Sequence, residues 1–149
     1  YQRRVRETEI NFLSLSNITE EIYNQAKDTR VIHQCLILKN SEYLQTFDRQ
    51  SFKYVFAPNI KSMCDYMFNQ NRQLIEVFAP NVVRMDNGVF QQCEKLQHIY
   101  FPLLQSISTH TFSSCDSLTK VDLHCLKTAK DLGFFNCSFL KEFIAVNLE

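Results

Sequence analysis

Apolar residues recur along this chain at a fixed spacing of 22 positions. Two columns carry the repeat most clearly, one of phenylalanines and one of leucines: Phe68, Phe90, Phe112, Phe134 and Leu74, Leu96, Leu118, Leu140. A third column, which begins at Val55 and Val77, follows the same step. Such self-similarity is typical of solenoids, in which one unit stacks on the next. The chain is therefore predicted to be a stack of similar units.

Within one unit, the pattern predicts a short strand followed by a turn. Ile99 and Phe101 are two positions apart, which is the period of a strand, and Pro102 lacks the N–H that would continue the pairing. Phe112 and Cys115, three positions apart, fit one face of a helical turn. Units this short must stack to share a core. The residues predicted to lie on adjacent parallel strands are Val55, Val77, Ile99 and Val121.

The repeated unit resembles the leucine-rich repeats, and among them the BspA-like class. It reads L-x-x-[VI]-x-[AFL]-P-x-[IVL], followed by F-x-x-C-x-x-L, and the resemblance covers residues 52–149. The resemblance implies an α/β solenoid with a period of 22, a parallel sheet on one face, and short helices or turns on the other. His124 replaces the proline of the earlier units, and Asn71 replaces the cysteine in the first.

Residues 1–51 fit the repeat less well and are predicted to form an N-terminal helical cap and a degenerate first repeat. Asn17, with a glutamate three positions later, has capping-box spacing, and apolar residues four apart predict a helix over about residues 18–29. Residues 31–38 are predicted to form a strand, followed by a turn that carries Tyr43 and Phe47. The alternative is an arm that binds a partner.

Composition and charge exclude several classes of function. The chain has 149 residues, of which 45% are hydrophobic and 21% charged, as in ordinary globular proteins. Its 16 basic and 16 acidic residues cancel, so it lacks the excess of positive charge that nucleic-acid binding needs. No stretch approaches the roughly 20 apolar residues of a membrane-spanning helix, so no membrane insertion is expected. The two glycines, Gly88 and Gly133, are too few for phosphate-binding loops.

The cysteines and histidines do not form a recognisable catalytic or metal-binding motif. The six cysteines include no C-x-x-C, and the four histidines no H-E-x-x-H. Cys93, Cys115 and Cys137 share one column, so we predict that they are free, buried thiols in the core. We therefore expect no metal, no cofactor and no catalytic residue, although stacking could assemble an enzymatic site from distant positions.

The candidate binding surface consists of the strand positions that alternate with the buried column. In a solenoid these side chains face outward on one sheet. Aromatic residues fill one of these positions in three successive units, and an exposed apolar stripe usually marks an interaction site. The predicted protein-binding residues are Tyr54, Phe56, Glu76, Phe78, His98, Tyr100, Lys120 and Asp122. The alternative is that the N-terminal cap or another chain covers the aromatic residues.

The resemblance implies a non-enzymatic protein–protein interaction module of the surface adhesion type. Two alternatives stay open: an intracellular scaffold subunit of a cytoskeletal or other large assembly, and an enzyme with a non-local site. Reduced cysteines favour the inside of a cell, while the resemblance also allows the cell surface. The last unit stops short of the turn that closes earlier units. This predicts further repeats or self-association through an open C-terminal edge.

Overall fold

Short strands make up most of the regular structure. The computed structural model describes residues 2–148, which fold into two helices and eleven strands. The N-terminal elements are α1 (Gln2–Ser16), α2 (Glu20–Gln25), β1 (Arg30–Ile32) and β2 (Cys35–Ile37). The later strands are β3 (Tyr54–Phe56), β4 (Ser62–Met63), β5 (Glu76–Phe78), β6 (Arg84–Met85), β7 (His98–Tyr100), β8 (Ser106–Ile107), β9 (Lys120–Asp122), β10 (Thr128–Ala129) and β11 (Glu142–Ile144).

Two sheets run along the solenoid. The first has the order β1-β2-β3-β5-β7, in which β1 and β2 are antiparallel and the other pairs parallel. The second has the order β10-β8-β6-β4 and is parallel throughout. Val55 pairs with Val77 and Val77 with Ile99, so the 22-residue step is also the strand register. The predicted solenoid is confirmed, with a narrow second sheet and turns on its other face.

Stacked phenylalanine rings form the centre of the core. Ring centroids lie 5.3 Å apart between Phe68 and Phe90, and 5.4 Å apart between Phe90 and Phe112. Phe134 continues the stack at 5.1 Å from Phe112. Aromatic pairs of this kind contribute about 0.5–1.5 kcal/mol beyond their burial. The phenylalanine column of the sequence is thus a continuous ladder that ties the units together.

Each unit turns through two backbone positions with positive φ. These positions form two columns with φ between 55° and 60°: Tyr66, Gly88, His110, Leu132 and Gln70, Gln92, Ser114, Asn136. Residues other than glycine adopt this region uncommonly. Because nearly all members of both columns are not glycine, the stacked core must impose the conformation. Left-handed turns, rather than short helices, therefore close the units.

A second ladder satisfies buried carbonyl groups across units. Each donor reaches a carbonyl in the preceding turn: Asn71 Nδ2 to Phe47 at 2.6 Å, Cys93 Sγ to Phe68 at 3.2 Å, Cys115 Sγ to Phe90 at 3.2 Å, and Cys137 Sγ to Phe112 at 3.1 Å. Burial raises the pKa of Cys93 and Cys115 well above the usual range of a thiol. Cys93 and Cys115 are buried as predicted, whereas Cys137 is half-buried. Asparagine fits this column because its side chain also donates to a carbonyl of the preceding turn, while its side-chain oxygen is buried with no hydrogen-bond partner in the described chain.

The N-terminal helices differ from the sequence prediction. α1 occupies residues for which the sequence pattern predicts no helix. α2 is shorter than predicted, and its N-cap is Thr19, not Asn17. The Thr19 hydroxyl accepts a hydrogen bond from the Ile22 amide at 3.1 Å. The capping-box pattern therefore located a helix start to within two residues but assigned the wrong cap.

The predicted strand over residues 31–38 is a hairpin. His33 and Gln34, between β1 and β2, have φ of 49° and 63°. Two central residues with positive φ are characteristic of the two-residue turn that joins antiparallel strands. Tyr43 and Phe47, predicted to lie in a turn, are buried against the first unit, where Phe47 stacks on Phe68.

The first sheet is interrupted between β7 and β9. β9 pairs in parallel with β11, but within residues 2–148 it does not pair with β7. The second sheet continues across the same units, where Ser106 on β8 lies opposite Thr128 on β10. The prediction that Val121 lies on a strand adjacent to that of Ile99 is therefore wrong, while the pairing of Val55, Val77 and Ile99 is confirmed.

Candidate functional site

α1 lies across the outward face of the first sheet and covers its N-terminal half. Phe12 is fully buried, with its ring 5.6 Å from that of Phe56 and 5.8 Å from that of Phe78. Tyr23 on α2 contacts Phe56 edge-on at 5.2 Å. Phe56 and Phe78 are 1% and 0% exposed, so the prediction that they face solvent is wrong. For these two residues the alternative is correct: the N-terminal segment covers them.

The other predicted binding residues keep access to solvent. His98 and Lys120 are exposed. The half-buried members of the predicted surface are Tyr54, Glu76, Tyr100 and Asp122. Tyr100 stacks on Phe78 at 5.6 Å and ends the aromatic column. The part of the predicted surface that α1 leaves open thus lies on β7 and β9, and its role in binding stays a prediction.

The hydrogen bonds of the first sheet are interrupted at this surface, between the units of β7 and β9. Four pairs of units share one bond just beyond the strand: Leu38 N to Phe56 O at 3.0 Å, Ala57 N to Phe78 O at 2.9 Å, Ala79 N to Tyr100 O at 3.3 Å, and Leu123 N to Ile144 O at 2.8 Å. In the described chain, the equivalent bond from the Phe101 amide to the Asp122 carbonyl is absent.

Two sequence changes coincide with this interruption. In three other units, an asparagine side chain donates a hydrogen bond to a carbonyl of the preceding unit: Asn59 to Lys39 at 2.9 Å, Asn81 to Pro58 at 2.7 Å, and Asn147 to His124 at 2.6 Å. Cys125 stands at this position in the unit of β9 and lacks the amide. Asp122 follows Tyr100 in the outward column, so the aromatic stack ends there. Leu103, at this position in the unit of β7, also lacks the amide, yet β7 pairs with β5, where Tyr100 stacks on Phe78. The unit of β9 lacks both the amide and the aromatic side chain.

The interruption opens a cleft of about 690 Å³. Its walls include Ile99, Tyr100 and Pro102 on one side, and Lys120, Asp122 and Cys125 on the other. Ile99 is half-buried, although Val55, Val77 and Val121 in the same column are fully buried. The cleft therefore reaches from the outward face toward the core. Its volume lies within the range of about 300–1,000 Å³ that is common for ligand sites.

Charged side chains surround the mouth of the cleft. Arg4 on α1 lies 3.5 Å from the carboxylate of Asp122, which also pairs with His124. Lys120 pairs with Glu142 at 2.8 Å. Ion pairs at a solvated surface contribute about 0–1 kcal/mol each. These side chains can therefore exchange partners at little cost in free energy when another molecule approaches.

The carboxyl of Glu76, which lies on β5 opposite His98 on β7, has a raised pKa. Burial raises the pKa of its carboxyl, and the nearby His98 partly opposes this shift. Because β5 and β7 place the two side chains opposite each other, they form the N-terminal border of the open surface.

The described residues hold no arrangement that suggests metal or membrane chemistry. Within residues 2–148, no three His, Cys, Asp or Glu side chains come together so that they could hold a metal ion. The six cysteines of this range are free thiols. Neither helix of this part of the chain is long and apolar enough to cross a bilayer.

Two residues of this region, Phe12 and Arg4, escaped the sequence analysis. Phe12 provides the buried contact of α1, and Arg4 reaches the mouth of the cleft. A signal for α1 does exist, because Val5, Phe12 and Ser16 are seven and four positions apart and lie on one side of a helix. This stripe is narrow and contains one large apolar residue, so it is a weaker signal for a helix than the repeated columns are for the strands.

Comparisons with known proteins agree with this architecture. The profile of a family described as BspA type leucine rich repeat region matches six copies across residues 21–141. The crystal structure of the T. pallidum leucine rich repeat protein is similar, with a TM-score of 0.54 and 22% sequence identity. The match covers 77% of this chain and 58% of that chain, so this chain spans less than two thirds of its length. No curated protein matches the chain in sequence.

Proposed function

Because this chain belongs to the BspA-type leucine-rich repeat family, we propose that it is a non-enzymatic module that binds a protein partner through its repeat surface. The family suggests protein interaction or adhesion, and its solenoid fold is typically non-enzymatic. Solenoids offer long, regular surfaces, which suit the recognition of macromolecules. Adhesion at a surface is the role that we favour, and a scaffold role within a larger assembly is the alternative.

The open part of the first sheet carries this proposal. α1 covers the outward face as far as Phe78, while His98, Tyr100, Lys120 and Asp122 keep solvent access beside the cleft. An aromatic side chain bordered by charged ones matches the usual composition of protein interfaces, in which aromatic anchors contribute much of the energy. Tyr100 is the aromatic residue of this surface, and its stacking on buried Phe78 fixes its ring.

Affinity capture with three forms of the intact chain tests the proposal. The wild type is compared with His98→Ala/Lys120→Glu, which changes the open surface, and with Lys95→Glu. Lys95 is exposed, is bonded to Gln73 at 2.9 Å, and lies outside the cleft, so its variant is a control for the charge change. We expect a protein that is retained by the wild type and by Lys95→Glu, and lost by the double variant. Equal retention by all three forms, or none above the level of the bare support, contradicts the proposal.

A further inference from the structure

We propose that the cleft between β7 and β9 is a docking slot for an extended peptide segment of the partner, which adds to the first sheet as a strand. This inference rests on the proposed function and specifies how the partner binds. Peptide addition to an exposed strand is a common mode of recognition, in which main-chain hydrogen bonds give affinity.

Main-chain groups of both walls point into the slot. In parallel strands, successive residues direct their N–H and C=O groups to opposite neighbours. The Tyr100 carbonyl accepts from Ala79 on the β5 side, so Ile99 and the Phe101 amide face β9. Across the slot, the Thr119 carbonyl accepts from Glu142 on the β11 side, so Lys120 and Asp122 direct their main chain toward β7. These main-chain groups have no backbone partner across the slot in the described part of the chain, and an added strand would pair with them.

The slot opens on one face only. On the opposite side of the same units, β8 and β10 remain paired, and the Phe112 and Phe134 rings stack at 5.1 Å. The two units therefore separate like a wedge whose wide side is the outward face. A peptide can enter from this face, beside the end of α1 that carries Arg4. A volume of about 690 Å³ admits a short segment rather than a folded domain.

The charges at the mouth specify the chemistry of the segment. Two cations, Arg4 and Lys120, stand at the mouth, and each is paired with one carboxylate, Asp122 and Glu142 respectively; the imidazoles of His98 and His124 lie beside them. The occupant that fits best is an extended peptide with an acidic side chain next to its inserted residues. Its carboxylate would replace Glu142 as a partner of Lys120, since that pair is exposed, or Asp122 as a partner of Arg4, whose side chain is exposed while that of Asp122 is half-buried.

The structure also suggests a variant that closes the slot. Cys125→Asn introduces the asparagine that is bonded to the preceding unit in three other units, as Asn81 and Asn147 are at 2.7 and 2.6 Å. Cys125→Ala removes the thiol without adding the tie. Leu103→Asn adds an asparagine at the same position of the unit of β7, which is already paired with β5. The last two variants are therefore matched controls.

The experiment selects random phage-displayed peptides on the intact chain and measures their affinity for the wild type and the three variants. Amide exchange at Ile99 and Phe101 is followed with and without the selected peptide. We expect exchange at both amides to slow on binding. We also expect Cys125→Asn to weaken binding by about tenfold or more, the loss expected when several main-chain hydrogen bonds cannot form. Both control variants should bind like the wild type. If exchange of the Phe101 amide in the free Cys125→Asn variant equals that of the wild type, the variant has not closed the slot. Protection of Ile99 and Phe101 by the peptide in the wild type is then the result that tests the proposal.

Three results would overturn the slot. The first is the failure of any peptide to be selected above background. The second is a selected peptide that leaves exchange at Ile99 and Phe101 unchanged. If such a peptide is still lost in His98→Ala/Lys120→Glu, the proposed function survives and the strand-addition mode fails. The third is protection of Phe101 that rises with protein concentration alone, which would assign the slot to a second copy of this chain.

Discussion

Gly88 occupies a turn position that other units fill with side-chain-bearing residues. Its φ is 58°, like that of Tyr66, His110 and Leu132 at the same position of their units. The ring of Tyr66 lies over this glycine, and an added Cβ would sit 2.5 Å from a ring carbon, so a side chain here would displace the ring. The identity of this residue therefore follows from its neighbour as well as from its backbone conformation.

We expect Gly88→Ala to lower the free energy of unfolding by about 1–2 kcal/mol from the left-handed backbone alone, with the ring contact adding to this. Urea unfolding checks the value. In a Tyr66→Ala background the ring is absent, so the same substitution should cost less. An equal cost in both backgrounds would show that the contact with Tyr66 contributes nothing.

The buried Cys35 thiol should make stability depend on alkaline pH. Burial raises its pKa from 9.0 to about 12. A raised pKa in the folded state means that the stabilisation is complete below pH 9 and is lost as the pH rises toward 12. We expect the free energy of unfolding to fall over this window, and to fall less steeply in Cys35→Ala. Parallel slopes for the two proteins would contradict this role of Cys35. Tyr43, Cys93 and Cys115, whose pKa values are also raised by burial, account for a residual slope that both proteins share.

At the scale of elements, α1 is held to the sheet chiefly by the fully buried Phe12, with the half-buried Val5 and Leu13 packed beside it. Its first turn carries no acidic residue and its last turn no basic one, so its ends gain nothing from the helix dipole. A single helix of this length is marginal in water without tertiary contacts. Phe12 is its large buried residue and contacts both Phe56 and Phe78.

Phe12→Ala and Phe112→Ala should therefore have different consequences. Each empties a fully buried aromatic site, at a cost of about 3–5 kcal/mol. Phe12→Ala should release α1, so exchange of the α1 amides becomes fast while the solenoid stays protected. Phe112→Ala breaks the central ladder and should destabilise all units together. Ile10→Ala, at a position 57% exposed on α1, is the control and should change little. Unchanged protection of α1 in Phe12→Ala would contradict this account.

The repeat units could be predicted from the sequence, whereas the elements that occur only once could not. Each core column has four or five members 22 positions apart, so the buried residues and the strand register could be deduced without coordinates. α1 is not part of the repeat, so no equivalent segment in the sequence indicated that it covers Phe56 and Phe78. The interruption at β9 is present in the sequence as Cys125 and Asp122. Its meaning depends on the contacts of Asn59, Asn81 and Asn147, which only the structure shows.

At the scale of the whole molecule, apolar residues are exposed around the last described unit. The large ones are Phe135, Phe139, Phe143, Val146 and Leu148, between 40% and 69% exposed. β11 pairs with β9 on one side and has no strand on its other side within residues 2–148. A free strand edge with exposed apolar neighbours favours association with another chain.

We expect the isolated chain to self-associate as its concentration rises, and light scattering measures this. Phe135→Ser/Phe139→Ser removes two residues that are 57% and 61% exposed, and should shift the association to higher concentration without loss of stability. Leu44→Ser, at a site 95% exposed near the N-terminal units, is the matched control. If the chain stays monomeric at high concentration, the prediction is wrong, and the free edge of β11 does not mediate assembly.

Amide hydrogen exchange at Phe101 tests the central claim most directly, namely that the solenoid opens between β7 and β9 at its uncovered surface. The amides of Ala57, Ala79 and Leu123 occupy the same position of their units and donate across to the next strand. Protection by such a bond requires local opening before exchange can occur. We expect the Phe101 amide to exchange about tenfold faster or more than these three in the intact chain. Protection of Phe101 equal to that of Ala79 would show that the sheet is continuous there and that the cleft does not exist.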